Sequence, residues 1–156
     1  MPAMRAYACL LGVLSTVFAT RVLGQLLVAA WDVPFLPPMD AWYSGLIPYP
    51  GLLAAQIVLL GVQFEITREL WTGRGGVTVP RPALGRTLAW FSAVYFFAMV
   101  ARYLMTNVVM AEAGQFGDTI PIVFHWVLAA YLWVLARHLR GLPFFGHDQA
   151  AWETSS

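Results

Sequence analysis

Residues Ala6 to Ala30 read AYACLLGVLSTVFATRVLGQLLVAA, a largely apolar stretch that contains Arg21 and Gln25. A helix of about 20 apolar residues is long enough to cross the hydrocarbon core of a bilayer. The apolar core of a signal peptide is shorter, about 7–15 residues, and ends at a small-residue cleavage site. This stretch is longer and leads into Trp31 and several prolines. It therefore predicts a retained transmembrane helix with a cation inside the membrane.

Three further stretches reach the same length, and the composition agrees with a membrane protein. The chain is 60% hydrophobic and 11% charged, whereas soluble proteins have about 25% charged residues. The predicted helices span residues 6–30, 51–70, 84–110 and 120–139. We therefore expect an all-α integral membrane protein, a four-transmembrane-helix bundle over residues 1–141. Residues 142–156 are expected to form a partly disordered cytoplasmic tail, and the short connections leave no room for a soluble catalytic domain.

The arginines outside the helix centres predict the orientation of the bundle. They precede the first helix, surround the connection between the second and third, and follow the fourth: Arg5, Arg68, Arg74, Arg81, Arg86, Arg137 and Arg140. The other two connections have no Lys or Arg, and their acidic residues are Asp32, Asp40, Glu112 and Asp118. By the positive-inside rule both the N and C termini are cytoplasmic. The expected location is a bacterial-type inner (cytoplasmic) membrane.

The connection from Trp31 to Pro50 is rich in proline and aromatic residues. Its five prolines disfavour a regular helix. Its rings are of the kind that lie at membrane interfaces: Trp31, Phe35, Trp42, Tyr43 and Tyr49. We predict an ordered outer loop that caps the bundle, with Trp42 and Tyr43 packed on helix ends or on a partner. The alternative is an interfacial aromatic belt and nothing more.

Each predicted helix carries a strong hydrogen-bonding side chain in its outer half. Arg21 lies ten residues before Trp31, about 15 Å from the outer end of its helix. Gln25 follows one turn further out on the same face. The other helices contribute Gln56, Arg102 and His125. Because unpaired polar groups are costly in hydrocarbon, we expect these side chains to face the bundle interior and form a cofactor-binding or ligand-binding site.

Two arginines at one depth require hydrogen-bond acceptors, and no Asp or Glu lies in the outer half of a predicted helix. One source is the chain itself, above all a loop aspartate that folds inward, such as Asp32, Asp40 or Asp118. The other internal acceptors are Glu112, the amide oxygens of Gln25, Gln56 and Asn107, and backbone carbonyls. The other source is an anionic or carbonyl-bearing ligand, such as a lipid headgroup, a quinone or a (bacterio)chlorophyll-type pigment. The sequence leaves both open.

His125 could be the single axial ligand of a pigment, since an imidazole nitrogen can bind a haem iron or a chlorophyll magnesium. A haem with two histidine ligands within this chain is not expected, because His138 and His147 lie at or beyond the inner end. The alternative role for His125 is a hydrogen bond to Gln25, Gln56, Tyr95 or a loop carbonyl. The single cysteine, Cys9, allows no disulfide and no paired-cysteine metal site.

Two classes of function remain. The outer-half residues include no helix carboxylate and no metal-ligand spacing, which argues against an enzyme or a proton-coupled transporter. We therefore expect a small accessory subunit of a larger membrane complex, photosynthetic or respiratory, that packs against other transmembrane subunits and membrane lipids. No nucleic-acid partner is expected. The alternative is an independent small transporter or membrane enzyme that uses the outer-half Arg, Gln and His side chains.

Overall fold

The computed structural model describes residues 2–31, 33, 35–42, 48–105 and 119–143, and all of its regular elements are helices. They are α1 (Pro2–Trp31), α2 (Met39–Trp42), α3 (Tyr49–Thr72), a 3-10 helix (Gly76–Thr78), α4 (Pro82–Leu104) and α5 (Thr119–Leu139). Of these, α1, α3, α4 and α5 are long and apolar enough to cross a membrane. The prediction of a helical, multi-pass membrane protein is confirmed at this level. The predicted outer end of the third helix, at residue 110, lies outside the described residues, as does the tail from residue 144.

The order of the helices in space differs from their order in the chain. α1 packs against α3 and α5, and α5 packs against α1 and α4. The apolar core lies in the half of the bundle nearest the 3-10 helix, which we call the loop end. The buried residues of this core are Tyr7, Ala8, Leu11, Leu70, Tyr131, Leu135 and Leu139. The opposite end, where α1 ends at Trp31 and α3 begins at Tyr49, is called the cap end.

α4 packs on α5 through three small residues on one face, Gly85, Ala89 and Ser92. A four-residue and then a three-residue interval keeps them in line along a helix. Small side chains allow two backbones to approach closely, which is how helices associate in a membrane where burial of apolar surface gives little driving force. The Ser92 hydroxyl uses this proximity to donate a 2.7 Å hydrogen bond to the carbonyl of Ala129.

The loop between α3 and α4 is held against α5 by polar contacts. α3 ends at Thr72 because Gly73 takes a left-handed conformation, φ 67°, and donates its N–H to the carbonyl of Glu69. The Glu69 carboxylate accepts a 2.9 Å hydrogen bond from the N–H of Val77. Nε2 of His138 lies 3.0 Å from the carbonyl of Val77. His138 thus lies at the loop end of α5, close to the C-terminus of that helix.

The outward face of α4 is apolar and aromatic. Trp90, Val94 and Phe97 are 75%, 62% and 67% exposed, and their spacing places them on one side of the helix. Such a face is compatible with lipid chains or with a neighbouring transmembrane helix, since both are apolar.

Candidate functional site

A cavity of about 210 Å³ lies at the cap end, between α1, α3 and α5 and against α2. We call it the cap cavity. Three of the side chains that the sequence singled out, Arg21, Gln56 and His125, line its wall. The other lining residues are Phe18, Trp42, Leu52, Ala55, Leu59, Pro121, Phe124 and Leu128. The cavity is therefore an apolar chamber with a small number of polar groups, the usual composition of a ligand site.

Arg21 faces the interior of the bundle, with 8% of its surface exposed. Its Nη2 donates a 3.1 Å hydrogen bond to the backbone carbonyl of Trp42. Its Cζ lies 5.7 Å from the centroid of the Phe124 ring, within the range of a cation–π contact. Its Nε is buried without a hydrogen-bond partner among the described residues. Arginine offers donors only, so an additional acceptor would complete its bonding.

The carbonyl that Arg21 uses belongs to a segment that folds back along α1. The Trp42 indole packs so closely on Gly24 that a Cβ there would lie 2.9 Å from the ring. Gly24 lies seven residues before the end of α1, so α2 reaches about 10 Å below that end. Trp42 is buried and packs on α1, whereas Trp31 and Phe35 are exposed. Tyr43 lies outside the described residues, and the ordered outer loop stays a prediction.

Gln25 and Gln56 form a buried amide pair between α1 and α3. Nε2 of Gln56 donates a 3.2 Å hydrogen bond to Oε1 of Gln25, and the two residues are 5% and 0% exposed respectively. Oε1 of Gln56 and Nε2 of Gln25 have no hydrogen-bond partner among the described residues. A buried polar atom without a partner costs about 1–3 kcal/mol. Gln56 lines the cap cavity, where a ligand could meet its free amide atom.

His125 hydrogen-bonds the Tyr95 hydroxyl of α4 through Nδ1. This is one of the partners that the sequence suggested. Since Nδ1 is engaged, a contact between His125 and a ligand would use Nε2. Arg21 and Arg102 both lie close enough to His125 to influence it electrostatically. The structure thus brings Arg102 near the same level, although Arg102 does not line the cap cavity.

The sequence suggested backbone carbonyls as acceptors for the arginines but did not single out that of Trp42, because the direction of the chain after Trp31 cannot be read from its residues. It also missed Gln63, a 1% exposed glutamine in α3 whose Oε1 has no partner within the described structure. The sequence feature that could have identified Gln63 is the seven-residue interval from Gln56, which places both amides on one face of α3.

An acidic partner for Arg21 stays a prediction, since Asp32, Asp118 and the side chain of Asp40 lie outside the described structure.

No protein-family model, no curated protein and no solved structure matches the chain. Within the residues that the structure describes, no three His, Cys, Asp or Glu side chains are grouped to hold a metal ion.

Proposed function

We propose that this chain is a small accessory subunit of a larger energy-converting membrane complex and that it holds a lipid or quinone in its cap cavity. The observation that carries the proposal is a pair of buried atoms, Nε of Arg21 and Oε1 of Gln56, that have no partner among the described residues and belong to residues that line one cavity. A polar atom buried in hydrocarbon is costly unless it is paired. A bound head with an oxygen that accepts from Nε and a hydroxyl that donates to Oε1 would pair both.

The size of the cap cavity bears on which ligand it holds. A volume of about 210 Å³ is below the usual range of about 300–1,000 Å³ for drug-sized ligands. It suits a head of a few atoms better than a pigment macrocycle. Among the ligands considered from the sequence, a lipid or a quinone therefore fits better than a chlorophyll-type pigment.

The subunit role is supported by the apolar and aromatic face of α4, formed by Trp90, Val94 and Phe97. Aromatic residues are enriched at protein interfaces because large, rigid side chains contribute contact area at little entropic cost. A neighbouring transmembrane subunit would pack on this face through the same van der Waals contacts that hold α4 on α5.

The test is gentle extraction from the native membrane, followed by particle-size measurement and by absorption and mass spectrometry of the bound small molecules. We expect a particle larger than a small homo-oligomer, with about one lipid or quinone retained per chain. A small particle without a retained ligand would contradict the proposal. A small particle that retains the ligand would instead support an independent protein.

An independent transporter or membrane enzyme is the second candidate, and the Tyr95–His125 hydrogen bond favours it. A tyrosine and a histidine in contact at a cavity wall can exchange a proton with a ligand. This function predicts ligand turnover or movement by the isolated chain in vesicles, which the subunit role does not.

The proposed orientation places both termini and the 3-10 helix on the cytoplasmic side, because the flanking arginines lie there. The test uses two single-cysteine variants, Gly76→Cys and Gln115→Cys, each made in a Cys9→Ser background. Cells that carry either variant are treated with a thiol reagent that cannot cross the membrane. We expect labelling from outside the cell at position 115 and at position 76 only after the membrane is opened. External labelling at position 76 would reverse the orientation.

A further inference from the structure

The cap cavity adjoins a second, more apolar space, and two leucine side chains lie at the boundary between them. Leu59 of α3 and Leu128 of α5 line the cap cavity and also line a space of about 430 Å³ between α3, α4 and α5. We call this second space the groove. Its walls include Val62 and Ile66 of α3 and Phe91 of α4. A ligand whose head is bound in the cap cavity therefore has an apolar space beside it.

We propose that the ligand is a single-chain amphiphile whose oxygen-bearing head lies in the cap cavity and whose hydrocarbon chain lies in the groove. This inference rests on the proposed function, because it extends a ligand already placed in the cap cavity. It commits to one occupant for both spaces, which are adjacent at Leu59 and Leu128.

The head must carry an oxygen that accepts a hydrogen bond, because Nε of Arg21 is a donor. The Gln25–Gln56 pair can offer the ligand either a hydrogen-bond acceptor or a hydrogen-bond donor. If both amides turn together, the bond between them persists and Gln56 presents a donor in place of an acceptor. A carboxylate or a quinone carbonyl accepts from Nε of Arg21 and from the turned Gln56 amide, whereas a hydroxyl of the reduced quinone ring can donate to Oε1 of Gln56 as it stands.

The groove is long enough for part of a hydrocarbon chain, and most of its wall is apolar. It extends along α3 from Leu59 to Ile66 and along α5 from Leu128 to Leu135, which is about 10 Å along each helix. Its wall is apolar except for the side chains of Gln63, Tyr95 and Tyr131. The chain would lie parallel to the helices and point towards the loop end.

The polar contacts of the head group, and not burial of the hydrocarbon chain, determine where the ligand binds. Moving a hydrocarbon chain from the bilayer into the groove gains little from the hydrophobic effect, since both environments are apolar. The charge-assisted hydrogen bond from Arg21 is therefore the contact that distinguishes this ligand from surrounding lipid. A chain in the groove should depend on Arg21 even though Arg21 does not touch the groove.

Photolabelling of the full chain in its native membrane tests this dependence. Two probes are used, a fatty acid and a prenyl quinone, each with a diazirine midway along its chain. We expect at least one probe to label groove residues, identified by mass spectrometry of peptides that contain Val62, Phe91 or Leu132. Arg21→Leu should lower this labelling about tenfold or more, as the loss of one charged hydrogen bond implies. The probe that labels identifies the head as carboxylate or quinone.

Two valine-to-tryptophan substitutions on α3 test the groove directly: one is designed to block it, and the other is the matched control. Val62→Trp should fill the groove and lower labelling there without touching the cap cavity. Val58→Trp, one turn earlier at a 67% exposed position that lines neither space, should leave labelling unchanged. Because both variants keep Arg21, they also test the inference if Arg21→Leu does not fold.

Labelling that depends on Arg21 but falls outside the groove would overturn the path of the chain and leave the proposed function standing. Groove labelling that a folded Arg21→Leu variant does not lower would overturn the inference, because ordinary lipid contact would explain it. No groove labelling by either probe would also overturn it. Failure of the proposed function is seen separately, as the absence of any retained lipid or quinone after gentle extraction.

Discussion

Arg21→Leu is expected to remove the bound ligand while the helical bundle remains folded. The substitution deletes the Nε donor that has no protein partner in the described structure and the Nη2 bond to Trp42. A hydrogen bond to a charged group contributes about 1.5–3 kcal/mol, so the ligand retained per chain should fall about tenfold or more. The measurement is mass spectrometry of the small molecules extracted from equal amounts of purified wild-type and variant protein.

Stability should change much less than binding. Leucine leaves the Trp42 carbonyl without its donor, which costs about 1–3 kcal/mol. It also removes a cation that is costly to bury, and exchanging buried charge for apolar volume is often neutral or favourable. We expect the two effects largely to cancel in a thermal melt. Arg21→Lys is the matched control, since it keeps the charge but loses the fork of donors, and it should retain an intermediate amount of ligand.

An internal aspartate partner predicts the opposite pattern. Leucine would then leave a buried carboxylate without its cation, which costs about 3–5 kcal/mol. The variant would melt early or fail to accumulate, and the stable fraction would keep its ligand. That outcome would contradict the ligand-binding role of Arg21 and would assign it to the fold.

The depth of the polar residues could be predicted from the sequence because a helix has a fixed rise. Once four apolar stretches were identified, counting along each placed Arg21, Gln56 and His125 at a similar level. The structure brings these three side chains to one cavity. Depth is a property of one helix at a time, so it required no knowledge of which helices are neighbours.

The neighbours themselves could not be predicted. In a soluble bundle an apolar stripe marks the buried side of each helix, but here lipid and core are both apolar and the helices have almost no polar side. Nothing in the sequence therefore indicated that α1 packs between α3 and α5. For the same reason Trp42 could not be distinguished from Trp31 and Phe35, although only Trp42 of these three is buried.

Gly85→Leu is expected to have the largest effect on stability of any single substitution considered. A Cβ at this position would lie 2.9 Å from the backbone carbonyl of Ala136 and 2.7 Å from Cγ of Arg140. The carbonyl belongs to the rigid backbone of α5, so α4 and α5 must move apart. Overpacking of this kind costs about 1–3 kcal/mol or more, and separation would also stretch the Ser92–Ala129 hydrogen bond.

Gly61→Leu is the control for the change of residue type within a transmembrane helix. A Cβ at Gly61 would meet no atom within 4 Å, and leucine favours a helix over glycine by roughly 1 kcal/mol. The two leucine variants should therefore diverge in a thermal melt in detergent, with Gly61→Leu at or above the wild-type midpoint and Gly85→Leu well below it. Equal midpoints would mean that α4 does not rest on α5 at Gly85, and the packing of these two helices would have to be revised.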